Sequence, residues 1–189
     1  MVSPRPRIGA LTGCASPWIR HDRWAFYTVL LRPQCVMRTV IGVRVKSFSE
    51  IAPEFERRVA RDVCCNMATV DSRGRVRSRV IHPLWERSTA LVLSLASSPK
   101  VKHVLAYPHV SLAYIGDEER PAYAECRASW IDDTVEVGRV WQRFRESPLG
   151  YDPEPFYADG EAGVIRLTAW RIQVDDADGE SLIWERSDD

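Results

Sequence analysis

Residues 75–114 read RVRSRVIHPLWERSTALVLSLASSPKVKHVLAYPHVSLAY, and this stretch decides the expected fold. Its periodicities predict two strands, a turn rich in serine, a short helix and a further strand, in that order. The helix has Ser98 as its N-cap and Pro99 at its first position. Lys100 and Lys102, two of the three lysines in the chain, stand in its first turn. The stretch therefore predicts a basic helix N-terminus set between strands.

Alternating apolar and polar residues predict the strands around this helix. Asn66–Val70 and Arg75–His82 flank the turn Asp71–Gly74, whose glycine suits a positive backbone dihedral, so they are expected to form a hairpin. Ala90–Leu95 and His109–Ile115 are the strands before and after the helix. Pro108 is expected to end the helix.

The segments farther out follow the same two periodicities. Apolar residues at every fourth position predict a helix from Ser49 to Val63, and a capping-box pattern at Asp133 predicts another. On that second helix, the residues expected to be buried are Val137, Trp141 and Phe144. Further strands are predicted at Tyr123–Ile131, Val164–Thr168 and Trp170–Val174. A loop is predicted at Pro148–Gly160 and a polar tail after Asp175. Six or seven short strands with few crossover helices predict a mainly-β (α+β) fold, an antiparallel barrel with flanking helices.

Composition indicates one domain and no strongly charged partner. The 189 residues carry 26 basic and 26 acidic side chains, so the chain lacks the net field that draws proteins to nucleic acids or anionic membranes. Residues 1–36 hold five arginines and one acid, and we expect them to be a poorly ordered arm. Met37 is a candidate start of translation, which leaves residues 37–189 as the domain.

The cysteines and histidines indicate neither a metal site nor a redox pair. The five cysteines are Cys14, Cys35, Cys64, Cys65 and Cys126, and their spacing fits a reduced cytoplasmic protein. Cys64 and Cys65 are expected to point to opposite faces of a strand. The histidines are too scattered in the sequence to predict a metal centre.

Two local patterns favour an anionic ligand, and each has a plainer alternative. Ser97, Ser98 and Lys100 at a helix N-terminus form a phosphate receptor, unless the helix is an ordinary capped surface helix. Arginines alternate along the strand from Arg75 to Arg79, which makes an anion clamp or a solvated outer face. No Ser-His-Asp order or convincing acid and base stand out, so the sequence assigns no catalytic residue.

The ordered motifs resemble the pyridoxamine 5'-phosphate oxidase-like family, the flavin-binding split β-barrels. The resemblance rests on Arg79–His82, on the Ser-Ser-Pro-Lys turn ending at Lys100, and on Tyr107–Leu112, with a weaker match at Glu125–Asp133. It covers roughly residues 53–174, and the order and spacing of the motifs carry it. The resemblance implies a homodimer that holds flavin mononucleotide (FMN) between its subunits and acts on a small-molecule substrate.

The family's cofactor contacts carry over onto seven positions of this sequence. By the resemblance, Lys100 and Ser98 bind the phosphate, Arg79 reinforces it, and Ser94 makes a further phosphate contact. The backbone of Val80, Ile81 and His82 faces the isoalloxazine ring. The expected activity is that of an FMN-dependent oxidoreductase.

Two departures argue against oxidation of pyridoxamine phosphate itself. Pro99 stands where the true oxidase usually has arginine, and Trp170–Asp189 lacks the Arg-x-His-x-Arg type of substrate signature. Two alternatives to FMN-dependent catalysis stay open. One is a reductase that uses the deazaflavin F420, whose anionic tail would meet Arg75 and Arg77. The other is a non-catalytic protein that binds or senses flavin or haem.

Overall fold

The computed structural model describes residues 42–116, 120–147, 152 and 161–187. The predicted N-terminal arm, the candidate start at Met37 and nearly all of the predicted loop at Pro148–Gly160 lie outside these residues. The helices are α1 (Phe48–Arg61), α2 (Pro99–Ala106) and α3 (Thr134–Arg145). The strands are β1 (Val43–Val45), β2 (Cys65–Val70), β3 (Val76–Ile81), β4 (Leu84–Glu86), β5 (Thr89–Leu95), β6 (His109–Tyr114), β7 (Ala122–Ile131), β8 (Ala162–Asp175) and β9 (Ser181–Glu185).

The strands form one sheet that curls around a core. Its order is β1-β9-β8-β7-β6-β2-β3, and β5 pairs with β4 on one side and with β8 on the other. Every pairing is antiparallel except that of β1 with β9, which is parallel. The mainly-β fold with flanking helices is confirmed, and the single parallel pair makes the sheet mixed. None of the helices in the described residues is long and apolar enough to cross a bilayer.

The longest strand corrects the sequence prediction of two strands in its place. Val164–Thr168 and Trp170–Val174 belong to one continuous strand, β8. The register with β7 shifts at Trp170, because Glu125 pairs with Arg171 while Cys126 pairs with Ala169. Such a bulge moves the apolar alternation by one residue, which reads in the sequence as a break between two strands.

The expected polar tail is also wrong, because residues after Asp175 return to the sheet as β9. Strand β9 pairs with the end of β8 across a tight turn in which Gly179 has a φ of +81°. Its apolar residues include Trp184, which is 6% exposed and packs edge-on against Phe48. Strands β1 and β4 have three residues each, too few to show a periodicity.

The three predicted helices are present, each with a local reason for its start. Helix α1 begins with a capping box in which the backbone N–H of Ser47 donates to Glu50 at 2.8 Å. Helix α2 has Ser98 as N-cap and Pro99 at its first position, as predicted. Helix α3 begins where Asp133 accepts a hydrogen bond from the backbone N–H of Glu136 at 2.9 Å.

The main core lies inside the barrel, and a smaller cluster lies beneath α3. Ile51 and Phe55 of α1 are fully buried against the sheet, while Val137 and Phe144 of α3 are buried as predicted. Trp141, also predicted to be buried, is only partly so. The predicted hairpin between β2 and β3 is confirmed. Burial alternates along β2, which begins with the buried Cys65. Cys64 is exposed and precedes the strand, so the expectation that the two cysteines lie on opposite faces of one strand is wrong.

Candidate functional site

The predicted helix N-terminus is built by two serines that bond to each other. The Oγ of Ser98 lies 2.8 Å from the Oγ of Ser94, which is fully buried on β5. The Ser98 hydroxyl therefore does not cap its own helix. Pro99 has no N–H, and the amides of Val101 and Lys102 donate to the Ser98 carbonyl. The amide of Lys100 is left as a first-turn donor without a partner among the described residues.

The ammonium group of Lys100 adds a positive charge at this helix end. The side chain is partly buried, and none of the described carboxylates pairs with it. Burial lowers the pKa of Lys100, and the nearby guanidinium of Arg79 lowers it further. Both effects disfavour the charged form, so an anion beside Lys100 would relieve them.

Arg79 on β3 is the second cation and carries an unused donor. Its Nη2 lies 3.2 Å from Nδ1 of His103, while its Nη1 is buried and has no hydrogen-bond partner in the described part of the chain. Burial lowers the pKa of Arg79, and the positive charge of Arg77 lowers it further. A buried donor without a partner is costly, which favours a ligand acceptor at this position.

His103 on α2 holds Arg79 in place from the helix side. Its Nδ1 lies 3.0 Å from Oγ1 of the buried Thr69, in addition to its contact with Arg79. Because a guanidinium only donates, Nδ1 accepts from Arg79 and the ring proton sits on Nε2. Burial lowers the pKa of His103, with the Arg79 charge as the next cause, so the ring is neutral near pH 7.

The alternating arginines of the hairpin do not act as one set. Arg75 and Arg77 both donate to Oδ2 of Asp71, at 2.9 and 3.1 Å. Backbone N–H groups and these guanidinium groups hold the pKa of Asp71 well below its usual range. Arg75 and Arg77 stay about half exposed, at 52% and 47%. Of the three predicted clamp residues, only Arg79 has a buried donor with no partner among the described residues.

Four of the seven predicted cofactor residues line one cavity. Val80, Ile81, His82 and Lys100 surround a space of about 410 Å³. The other walls of this cavity, hereafter the basic cavity, are Cys64, Val92, Leu93 and Phe144. Arg79 adjoins Lys100, and the bonded pair of Ser94 and Ser98 lies at the start of the helix that carries this lysine.

His82 forms the side of the basic cavity next to α3. Its ring packs edge-on against Phe144, with centroids 5.3 Å apart. Burial lowers the pKa of His82, so the ring is neutral near pH 7. A neutral imidazole and a phenyl ring give this side of the cavity an aromatic, uncharged wall.

Sequence reasoning missed several residues of this region. Thr69 and His103 orient Arg79, and the carboxylate of Asp71 accepts hydrogen bonds from Arg75 and Arg77. An acid at the first position of the hairpin turn, facing alternating arginines, was a usable signal for the Asp71 contacts. Nothing local connects Phe144 or Thr69 to this region, because both reach it only through tertiary packing.

The free donors fit a phosphate group. The Lys100 ammonium and the Lys100 amide are donors in the first turn of α2, where the helix dipole adds positive potential, and the buried Nη1 of Arg79 on β3 is a third donor. A guanidinium and an ammonium are the side chains that bind phosphate oxygens best in proteins. The apolar residues of the basic cavity suit a flat ring beside that phosphate.

No protein-family model matches the sequence, and no curated protein matches it. Solved structures do match the fold. One is a pyridoxamine 5'-phosphate oxidase-related, FMN-binding protein from Nostoc punctiforme, with a TM-score of 0.57 and 12% identity over 73% of this chain and 92% of that one. This chain has the pyridoxamine 5'-phosphate oxidase-like fold.

Two further matches show how varied proteins of this fold are. An F420 reductase matches with a TM-score of 0.53 and 16% identity, over 62% of this chain and 94% of that one. HutZ, the haem storage protein of Vibrio cholerae, matches with a TM-score of 0.54 and 19% identity, over 63% of this chain and 89% of that one. At these identities the likeness concerns the fold, and function has to be argued from the site.

Proposed function

We propose that this protein is an FMN-dependent oxidoreductase of the pyridoxamine 5'-phosphate oxidase-like family. It binds the cofactor in the basic cavity and acts on a small-molecule substrate. The observation that carries the proposal is the pair of neighbouring cations, Lys100 in the first turn of α2 and Arg79 on β3, each with a donor that has no partner among the described residues. A flavin supplies hydride or electron transfer when bound, and the protein supplies its binding and orientation.

Each predicted residue has a role in holding this cofactor. Lys100 and Ser98 bind the phosphate, Nη1 of Arg79 adds a donor, and Ser94 orients the Ser98 hydroxyl. The backbone of Val80–His82 faces the ring system. His103 is a positioning residue, because it fixes the guanidinium of Arg79.

A second copy of the chain would complete the cofactor site. Strand β3 is at the edge of the sheet, and its Val76 and Val80 are 70% and 69% exposed. Val80 also lines the basic cavity, so the cavity opens at this edge. Apolar residues on an unpaired edge strand favour association, and a homodimer would cover both the strand and the opening.

Oxidation of pyridoxamine phosphate is not the activity we propose. Pro99 brings no charge to the phosphate position, and the arginine and histidine signature is absent from Trp170–Asp189. Those residues form the end of β8 and the strand β9 instead. The substrate is therefore a different small molecule.

The proposal predicts that Lys100→Gln weakens FMN binding by about 10- to 100-fold. The loss of a charge-assisted hydrogen bond costs about 1.5–3 kcal/mol, and each 1.4 kcal/mol is about tenfold in Kd. Riboflavin, which has no phosphate, should bind weakly to both proteins with a similar Kd. Quenching of flavin fluorescence on titration measures both ligands.

Lys102→Gln is the matched control, because Lys102 is exposed two positions farther along the same helix. Its FMN affinity should stay within about twofold of the parent. A protein that binds no FMN, or one in which both lysine variants lose the same affinity, would contradict the proposal.

F420 is the second candidate cofactor on this fold. Arg77 lies close enough to Arg79 to lower its pKa, and its side chain is 47% exposed, so the basic surface extends beyond the cavity. A longer anionic tail would meet Arg77 there, although Asp71 already neutralises part of this charge. Parallel fluorescence titrations with FMN and F420 distinguish the two, since the tighter ligand identifies the cofactor.

Non-catalytic binding of haem or flavin is the alternative from another class. His82 is neutral near pH 7 and lines the basic cavity, and a neutral imidazole can ligate iron. A Soret band that appears on haem titration and is lost in His82→Ala would favour haem. Bound flavin that no electron donor reduces would favour storage.

A further inference from the structure

A second cavity of about 300 Å³ lies on the other side of His82. One wall, which we call the α1 wall, consists of Val59 and Ala60 of helix α1 and of Val63, which follows the end of the helix. The opposite wall includes Leu84 and Trp85 of β4. We call this space the apolar cavity. Its volume is at the low end for small-molecule sites.

Six of the ten described residues that line the apolar cavity are apolar. Val59 and Ala60 lie in the last turn of α1 and Val63 follows the helix, so this wall presents aliphatic groups. Trp85 has one polar atom, Nε1, and it already donates to the hydroxyl of the buried Tyr114 at 2.6 Å. The indole therefore contributes only apolar surface to the cavity.

Glu56 and Arg87 are the charged residues in the described lining of the apolar cavity. They have opposite charges, and both are exposed to solvent. His82 is neutral near pH 7 because burial lowers its pKa. An anionic group placed between the aliphatic residues would lose its hydration, and the described lining offers it one exposed guanidinium, Arg87, together with the carboxylate of Glu56, so its burial is unfavourable. The basic cavity has the opposite character, because Lys100 lines it and none of its described lining residues is acidic.

His82 lines both cavities, so a molecule in one lies against the same residue as a molecule in the other. We propose that the apolar cavity is the substrate site, and that the substrate is a small, uncharged, apolar ring compound. This role as a substrate site rests on the proposed binding of a flavin in the basic cavity. The described lining carries one acid and one arginine, so we expect phosphorylated or carboxylated substrates to bind more weakly than uncharged ones.

Two fluorescent probes that differ by one anionic group test the proposal. N-phenyl-1-naphthylamine is uncharged, and 8-anilino-1-naphthalenesulfonate is the same ring system with a sulfonate. The uncharged probe should bind the full chain saturably, and the sulfonate should bind at least about tenfold more weakly. Equal or tighter binding of the sulfonate would overturn the proposal.

Substitutions in the α1 wall locate the binding. Val63→Arg should weaken binding of the uncharged probe by at least about tenfold, and Ala60→Arg is a second variant at an exposed helical position that tolerates arginine. Leu105→Arg is the control, because Leu105 is 64% exposed on α2 and away from this wall. If both wall variants bind the probe like the parent, the proposed site is wrong.

FMN titrations of the same preparations separate the two proposals. If FMN binds and the uncharged probe does not, the apolar site is wrong and the flavin proposal stands. If the uncharged probe binds at the α1 wall and FMN does not, the flavin proposal fails. The proposed role of the apolar cavity as a substrate site then fails too, because it depends on a bound flavin. Binding of both, with FMN affinity unchanged in Val63→Arg, supports two separate sites.

Discussion

Single residues set the charge balance around the basic cavity. Arg79 and Lys100 lie close together, and the group that contacts the Arg79 guanidinium is a neutral histidine rather than a carboxylate. Asp71, whose charge acts on His103, is paired with Arg75 and Arg77. The cations nearest the helix N-terminus therefore keep their positive charge available for a ligand.

The arrangement around His103 predicts a loss of stability in acid. Burial lowers the pKa of His103 in the folded protein, the charges of Arg79 and Arg77 add to this, and Asp71 opposes it. The unfolded chain thus takes up the proton first, near pH 6.5, so the free energy of unfolding should fall as pH drops below about 6.5. Urea midpoints at pH 7.5 and 5.5 measure the drop.

Replacing His103 should make the loss of stability between pH 7.5 and 5.5 smaller. His103→Gln keeps a side chain that can accept from Arg79 and removes the titrating ring, so its two midpoints should lie closer together than those of the parent. His82, whose pKa is also lowered by burial, would account for part of the drop that remains. His109→Gln, at an exposed position of β6, is the control and should keep the parent's dependence. An unchanged drop in His103→Gln would contradict the interpretation.

At the scale of elements, β8 holds the barrel together because it pairs with β7, β5 and β9. The start of β8 passes very close to the end of β7. A Cβ built at Gly163 would lie 2.2 Å from Trp130 and 2.8 Å from the carbonyl oxygen of Ile131. Only glycine fits at this crossing without a shift of backbone or indole.

The close approach predicts opposite effects for two glycine substitutions. Gly163→Ala should lower the free energy of unfolding by about 1–3 kcal/mol through overpacking. Gly138→Ala should raise it by about 0.5–1 kcal/mol, because Gly138 lies in the middle of α3 with open space at its Cβ position. Urea denaturation of both variants measures the two shifts. If Gly163→Ala leaves the free energy of unfolding unchanged, the close approach of β7 and β8 at this glycine is wrong.

At the scale of the whole molecule, the unpaired edge at β3 predicts a dimer. Light scattering after size-exclusion chromatography should give a mass of two chains, because Val76 and Val80 are exposed at this edge. The double substitution Val76→Asp and Val80→Asp should shift the mass to one chain and weaken FMN binding at the same time. Val135→Asp is the control, since Val135 is 80% exposed in the first turn of α3, where an acid is favourable. A parent protein that elutes as one chain with FMN bound would contradict this prediction.

The sequence by itself determined the elements whose signals are local. Ser98 and Pro99 start α2 wherever that helix packs, because a cap and a fixed φ act within one turn. Gly74 turns the hairpin with a φ of +75°, and the alternation around it places one face inward. Lys100 and Arg79 were predicted as anion contacts for the same reason. Local sequence shows that Lys100 stands at a helix N-terminus and that Arg79 lies on one face of a strand.

Only the tertiary structure decided what depends on residues far apart in the chain. The bulge at Trp170 joins two predicted strands into β8, and β9 becomes a strand because the end of β8 offers it a partner. His103 meets Arg79 and Thr69 only after α2 packs on the hairpin. His82 comes to line two cavities in the same way, through α1 and α3. Side-chain periodicity reports which face of an element is buried, and it carries no information on which distant element covers that face.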